Sequence, residues 1–394
     1  MALTELLIHA SDVDEQTMTQ IRDIASHPAV EGLVAIMPDC HLGAGCVIGF
    51  TGRFSGAVIP NVVGVDIGCG VVLNPIEGVR RQEIDFNDLD RFIRSSIPLG
   101  MAHHRTPDLL EWFGSRSPER CARAKDLATR ADEEFYRELL SRRPRDPAWG
   151  QLGTLGGGNH FIEIDEDPKG ALFLTVHSGS RHFGFQVANF FQDMARRFQS
   201  RSRESDGIPP RGLEHLPLDK GGREYLKWLR IAQEFAMMNR FIIADRILSF
   251  FGKRLEEESL VESVHNYISE RDGIVRKGAI SAHSGERVVI PLSMASGVVL
   301  GIGKGNPSFN YSAPHGAGRL FGRREMKRKL KEGTITMGSF RKSMEGVFST
   351  SVSSETIDES PMAYRRWEDI SGEVEESVEI TALLRPVYNL KSPE

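Results

Sequence analysis

The chemically distinctive residues of this chain lie in short glycine-rich segments spread from Gly64 to Arg319, with helical stretches between them. For those segments to act together, the fold must bring both flanks of its helical sections to one place. That requires one composite domain, residues 1–394, rather than two independent ones. Glycines close to many of the candidate residues also suit sharp turns and short strands. The expected class is α+β, with mixed short strands around a central site and helices at the periphery.

Periodicity supports this layout. Residues 14–27 repeat at helical spacing, with Ile21, Ile24 and Ala25 on one side. A short apolar run, 33–37, precedes the glycine-punctuated stretch 43–70, which predicts short strands and turns. Residues 80–145 turn charged and helical, bounded near Pro98, Pro118 and Pro144. They read as a peripheral helical insertion that caps the core. Strands are predicted at 160–164 and 171–177, and helices at 183–201 and 222–253, with a polar loop at 202–217 between the helices. Short strands resume from 260, with one helix at 319–332 and a last strand at 375–387.

Bulk properties narrow the function classes. The 394 residues are 40% hydrophobic and 26% charged, ample for a core. Net charge is −5, so a nucleic-acid partner would need a local basic groove. The apolar stretch 235–251 is interrupted by Asn239, Arg240, Asp245 and Arg246 and does not suit a membrane span. The first residues lack the pattern of a secretory signal. Four cysteines, Cys40, Cys46, Cys69 and Cys121, are too few for a disulfide framework. Reduced thiols and a cytoplasmic location are expected.

Several motifs carry chemistry. In Gly64-Val65-Asp66-Ile67-Gly68-Cys69-Gly70 a carboxylate and a thiol can turn toward one point, the thiolate being able to bridge two ions. The plain alternative is a tight turn with a buried cysteine. Gly156-Gly157-Gly158-Asn159-His160-Phe161-Ile162-Glu163 exposes backbone N–H groups to phosphate, or is simply a tight connection into a strand. His177 ends an apolar run before Ser178-Gly179-Ser180-Arg181, and His265 follows an apolar position. Each histidine alone suits a core or surface role; three of them beside the Asp66/Cys69 turn suit a metal. In Ser312-Ala313-Pro314-His315-Gly316-Ala317-Gly318-Arg319 small residues leave room for phosphate to approach an imidazole. Arg181, Arg276, Lys277, Arg319 and Arg323 lie near these turns and suit phosphate contacts, whereas the 323–331 run by itself reads as a solvated helix. His41 is a possible substrate residue, and Cys46 and Cys121 are packing.

Taken in order, these segments resemble the RtcB-type RNA-splicing ligase family. The resemblance also takes in Pro38-Asp39-Cys40-His41-Leu42-Gly43, His265-Asn266, Arg276-Lys277-Gly278-Ala279 and Arg385-Pro386 through Lys391, and so covers almost the whole chain. It implies a GTP- and Mn²⁺-dependent enzyme joining RNA 3′-phosphate or 2′,3′-cyclic phosphate ends to 5′-hydroxyl ends, in RNA repair or tRNA splicing. Carried over by residue, Asp66, Cys69, His160, His177 and His265 would hold two ions, with Cys69 bridging. His315 would be the nucleophile that takes GMP. Asn159, Phe161, Glu163, Asn266, Ser293, Gly316, Gly318, Arg319 and Lys391 would form the nucleotide pocket, Glu163 and Lys391 reading the guanine edge. Mn²⁺ rests on the resemblance alone, since thiolate and imidazole donors favour Zn²⁺.

Leu292, Pro314 and Gly322 depart from the family's usual pattern, all near the nucleotide pocket. Two other functions use the same residues. One is a metal-dependent cyclic phosphodiesterase or hydrolase with no need of His315 as a covalent site. The other is a non-enzymatic metalloprotein that binds RNA ends.

Overall fold

The computed structural model describes residues 4–144, 146–201 and 209–393. Its centre is a seven-stranded antiparallel sheet. The strands run in the order Arg287–Pro291, Val298–Gly303, Val378–Lys391, Phe161–Glu166, Leu172–Ser178, Gly70–Pro75 and Val261–Val264. A second sheet of five strands holds Glu5–Ile8, Val30–His41, Ile48–Phe54, Ile274–Lys277 and Asn266–Ile268. Mixed strands and helices in one composite body are the α+β class expected. No helix among the described residues is long and apolar enough to cross a membrane.

The first helix, Glu15–Ala25, begins where Asp14 accepts hydrogen bonds from the N–H groups of Gln16 and Thr17. It buries Ile21 and Ile24, as its spacing predicts. The apolar run 33–37 is only the middle of the twelve-residue strand Val30–His41, whose residues 34–40 are all buried. Both faces are covered, so Asp39 is carried inward with the apolar residues.

Residues 80–144 are helical, with Phe86–Ser96, Asp108–Arg116 and Pro118–Arg130 running into a wider turn at Ala131–Leu139. Ile93, Phe113, Leu127 and Phe135 are fully buried and share one cluster with Phe183, Phe235 and Ile242. The segment is thus part of the main core as well as its cover. Arg116 forms a two-pronged ion pair with Asp245, at 2.6 and 2.9 Å, which ties it to the long helix Gly222–Leu248.

The C-terminal third differs from expectation. The helix placed at 319–332 is Arg323–Lys331, because Arg319 is drawn away into a bridge with Tyr364. Helices Met337–Ser343 and Trp367–Glu375 were not foreseen, and the last strand is Val378–Lys391 rather than 375–387. Of the loop expected at 202–217, residues 202–208 lie outside those described, as does residue 145 of the helical segment. The loop's end, Leu216–Pro217, pairs as a short strand with Ala57–Val58.

One buried group gives the fold a pH dependence. His27 is 3% exposed, and burial together with the neighbouring His215 lowers it from 6.5 to about 4. The folded state therefore keeps the ring neutral where the unfolded chain would protonate it. Stability from this residue is intact above pH 6.5 and falls as pH drops toward 4, by roughly 3 kcal/mol across the window. In urea titrations, any advantage of the wild type over His27→Gln should shrink steadily over that range. A difference constant with pH would remove His27 as the cause.

Candidate functional site

One rung of the central sheet gathers the metal-type donors. Gly70 pairs with Ser178 on one side and Val264 on the other. Cys69, His177 and His265, each one residue from that rung, are thereby set side by side at the sheet's end. A side chain at Gly70 would meet the Ser263 carbonyl at 2.9 Å, so glycine is what lets the strands close there. Gly179 serves Asp66 in the same way: a Cβ would fall 2.0 Å from the carboxylate.

The donor atoms converge closely. Cys69 Sγ is 3.2 Å from His177 Nε2 and 3.4 Å from His160 Nε2. His177 Nε2 is 3.2 Å from His265 Nε2, and Asp66 Oδ2 is 2.9 Å from His160 Nε2. Two triads result, Cys69/His177/His265 and Asp66/Cys69/His160, with Cys69 in both. The far ring nitrogens of His160 and His177 donate to the carbonyls of Leu155 and Asn159, at 2.9 and 3.1 Å, which aims both Nε2 lone pairs at the cluster.

Electrostatics agree with a cation here. Burial, with nearby imidazoles adding to it, holds His177 and His265 well below the ordinary histidine value, so both rings are neutral, the form that can bind a cation. Burial and the Asp66 charge push the Cys69 thiol well above its ordinary value. For Asp66, burial would raise the value, but His160 and Arg181 outweigh it and keep the carboxylate ionised. Five such donors, two of them anionic when loaded, fit divalent cations.

Two buried polar residues of the Gly222–Leu248 helix hold this arrangement. Arg240 is fully buried and donates to the carbonyls of Gly68 and Ser178, at 2.6 and 2.8 Å, while pairing with Glu262. Asn239 accepts from the N–H groups of Gly153 and Thr154 and donates to Ser178 and Gly179. They clamp the turns that carry Asp66, Cys69 and His177. Sequence reading noted these residues only as interruptions of an apolar stretch. That interruption was the available signal, since buried charge persists where it is fully bonded.

Next to the cluster a pocket opens, lined by His315, His177 and His265 together with Asn159, Phe161, Glu163, Asn266, Ser293, Gly316, Gly318, Arg319, Arg323 and Lys391. Strand register explains part of it: Lys391 lies opposite Phe161, and Asn389 opposite Glu163. Period two then turns Phe161, Glu163, Asn389 and Lys391 to one face. The His315 ring is 5.0 Å from that of His265. Its Nδ1 is 2.6 Å from Oδ2 of Asp39, which also accepts the Gly316 N–H at 3.3 Å. Burial and the Asp165 charge push Glu163 well above the usual carboxyl range, while Asn389 donates to it at 2.5 Å. His41 and Leu292 also line the pocket.

Residues not singled out from sequence lie behind the wall and bind the side chains that form it. Glu359 is buried and takes Lys391 Nζ at 3.1 Å, the Tyr364 hydroxyl at 2.6 Å, Arg319 at 3.1 Å and Arg323 at 3.4 Å. Burial would raise its pKa, but these cations together hold it below the ordinary value. Asp39 was quoted within a motif without a role, and Glu359 carried no local signal at all.

Two expected phosphate contacts are corrected. Arg276 is fully buried and pairs with Asp272 at 2.9 Å while bonding Ser312 and Tyr267. Lys277 is buried too, its Nζ donating to the carbonyls of Ala44 and Asn61. Both side chains are committed to the protein interior, and neither lines the pocket. Arg181 lies on the Asp66 side, its Nη1 3.1 Å from His160 Nδ1.

Comparison with known proteins agrees with this geometry. The family described as tRNA-splicing ligase RtcB matches residues 20–392. The RNA-splicing ligase RtcB of Escherichia coli K12 is 30% identical over 409 aligned positions, covering 96% of this chain and 95% of that protein. The tRNA-splicing ligase RtcB of Nanoarchaeum equitans is 29% identical, covering 98% and 94%, and the RNA-splicing ligase RtcB of Mycobacterium bovis 28%, covering 89% and 94%. With the match running through every segment that builds the donor cluster and its pocket, the chain belongs to the RtcB family.

Proposed function

We propose that this protein is a GTP-dependent RNA ligase that joins RNA 3′-phosphate or 2′,3′-cyclic phosphate ends to 5′-hydroxyl ends through a His315–GMP adduct. Membership of the RtcB family supports RNA ligation. The observation that carries the finer reading is the place of His315, with Nδ1 2.6 Å from Asp39 and its ring beside the Cys69/His177/His265 triad.

With Nδ1 on the Asp39 side, 2.6 Å from its Oδ2, the His315 Nε2 lone pair would attack the α-phosphorus of GTP, releasing pyrophosphate. Asp39 stabilises the positive charge that forms on the ring. A cyclic phosphate end is first opened by water, which breaks the P–O2′ bond and leaves a 2′-hydroxyl and a 3′-phosphate; the 3′-phosphate then attacks the adduct, freeing His315 and giving an RNA end capped by GMP. The 5′-hydroxyl displaces GMP, and a phosphodiester remains. Phe161 offers a face for the base, and Lys391 and Glu163 offer a donor and an acceptor to its edge. Arg319 and Arg323, which line the pocket, would offer cations to phosphate oxygens. Two divalent ions, Mn²⁺ by the resemblance, would be held by Asp66, Cys69, His160, His177 and His265 and would neutralise phosphate charge. Positioning and charge neutralisation carry most of such a reaction.

The test is incubation with Mn²⁺ and α-labelled GTP, followed by a denaturing gel, with a cyclic-phosphate RNA assayed alongside. Acid-labile label on the protein and joined RNA support the ligase. Hydrolysis of the cyclic phosphate without label would replace it by the hydrolase reading, and neither activity would leave a binding protein.

A further inference from the structure

Resting on that reading, we propose that the exposed ridge of the Arg323–Lys331 helix is the docking surface for the phosphate backbone of the RNA strand entering the pocket. The helix carries six cations, Arg323, Arg324, Lys327, Arg328, Lys329 and Lys331, against one acid, Glu325. Helical spacing sorts them. Met326 is fully buried and packs with Leu330 onto Ile335 and Phe340. Arg324, Lys327, Arg328 and Lys331 fall at i, i+3, i+4 and i+7 on the opposite side, and all four are exposed.

Local pairing accounts for some of this charge. Lys329 pairs with Glu325 at 3.7 Å and lies 4.2 Å from the Phe321 ring. Arg328 is shared between Glu325 at 3.9 Å and Glu332 at 3.7 Å. Among the described residues no carboxylate pairs with Arg324, Lys327 or Lys331. Attraction to the helix dipole explains cations in the last turn, but not Arg324 or Lys327 nearer the start.

Two observations direct the ridge to a polyanion. The whole chain carries −5, so a short helix with five net positive charges runs against the general field. The helix also starts at the pocket: Arg323 lines it and reaches Glu359 and Asp358. From Arg324 to Lys331 the ridge spans about 10 Å, room for about three phosphates of a stacked strand.

The experiment is fluorescence-anisotropy titration of a labelled single-stranded RNA ending in a 3′-phosphate, over a series of salt concentrations. The ridge variant is Arg324→Gln/Lys327→Gln/Lys331→Gln. A control with the same charge change elsewhere is Arg196→Gln/Lys220→Gln/Arg230→Gln, at exposed positions. The ridge variant should lose about 2 from the slope of log affinity against log salt, at ~0.7 per phosphate contact, and about tenfold or more in affinity at low salt. The control should stay near wild type. A ridge variant that keeps the wild-type slope, or a control that loses as much, overturns the proposal. Self-labelling of the unmodified protein with GTP is scored separately, so its failure strikes the ligase reading and not this surface.

Discussion

Replacing His315 by alanine is expected to abolish covalent label from α-labelled GTP, a fall of roughly 10⁴-fold or more. RNA joining should fall with it. The ring lines the pocket and lies against a buried carboxylate, its Nδ1 2.6 Å from Asp39. Asp39→Asn keeps the shape but offers the ring an amide in place of a charge, and should slow labelling by about 10²-fold or more. Metal content should stay at the wild-type level in both variants, because neither residue belongs to the donor triads. Label persisting in His315→Ala would move the covalent site elsewhere and remove the basis of the proposed mechanism.

Cys69→Ala should have an equally large effect through a different route. Its sulfur is the one donor common to both triads, so its loss leaves two imidazoles on one side and a carboxylate with an imidazole on the other. Disturbing a residue that merely orients a ligand costs about 10- to 100-fold in metal affinity; removing the shared ligand should cost more at both sites. Metal analysis after gel filtration should show both ions lost together. His265→Ala, which touches one triad, should spare the Asp66/His160 side. Retention of one ion at unchanged affinity in Cys69→Ala would show that the sulfur is not shared.

The donor cluster was legible because its residue types are uncommon beside glycine, and because turns and strand ends leave few directions for a side chain. The pocket wall was harder. Glu359 sits in an unremarkable polar stretch, and only the path of the C-terminal strand brings Lys391 to it. Asn239 and Arg240 look like breaks in an apolar helix until the carbonyls they hold are known. Arg276 and Lys277 were misread because a neighbouring glycine says nothing about which layer covers a strand. In Ile274–Lys277 all four residues are buried, so both faces are packed. The helices after residue 336 were missed because short amphipathic patterns stay ambiguous until their partners are in place: the cluster around Met326 for Phe340, and that around Val288 and Val378 for Ile370 and Val374.

Glu359 has a further consequence for how the pocket treats stray anions. Arg319, Arg323 and Lys391 are not naked charges, since one carboxylate already engages all three. A small ion such as inorganic phosphate would have to compete with that internal partner and would gain little from doing so. A nucleotide brings base stacking and edge contacts as well, enough to draw the cations away. On the proposed function the carboxylate would act as a threshold, favouring ligands that engage the pocket at several points over simple anions.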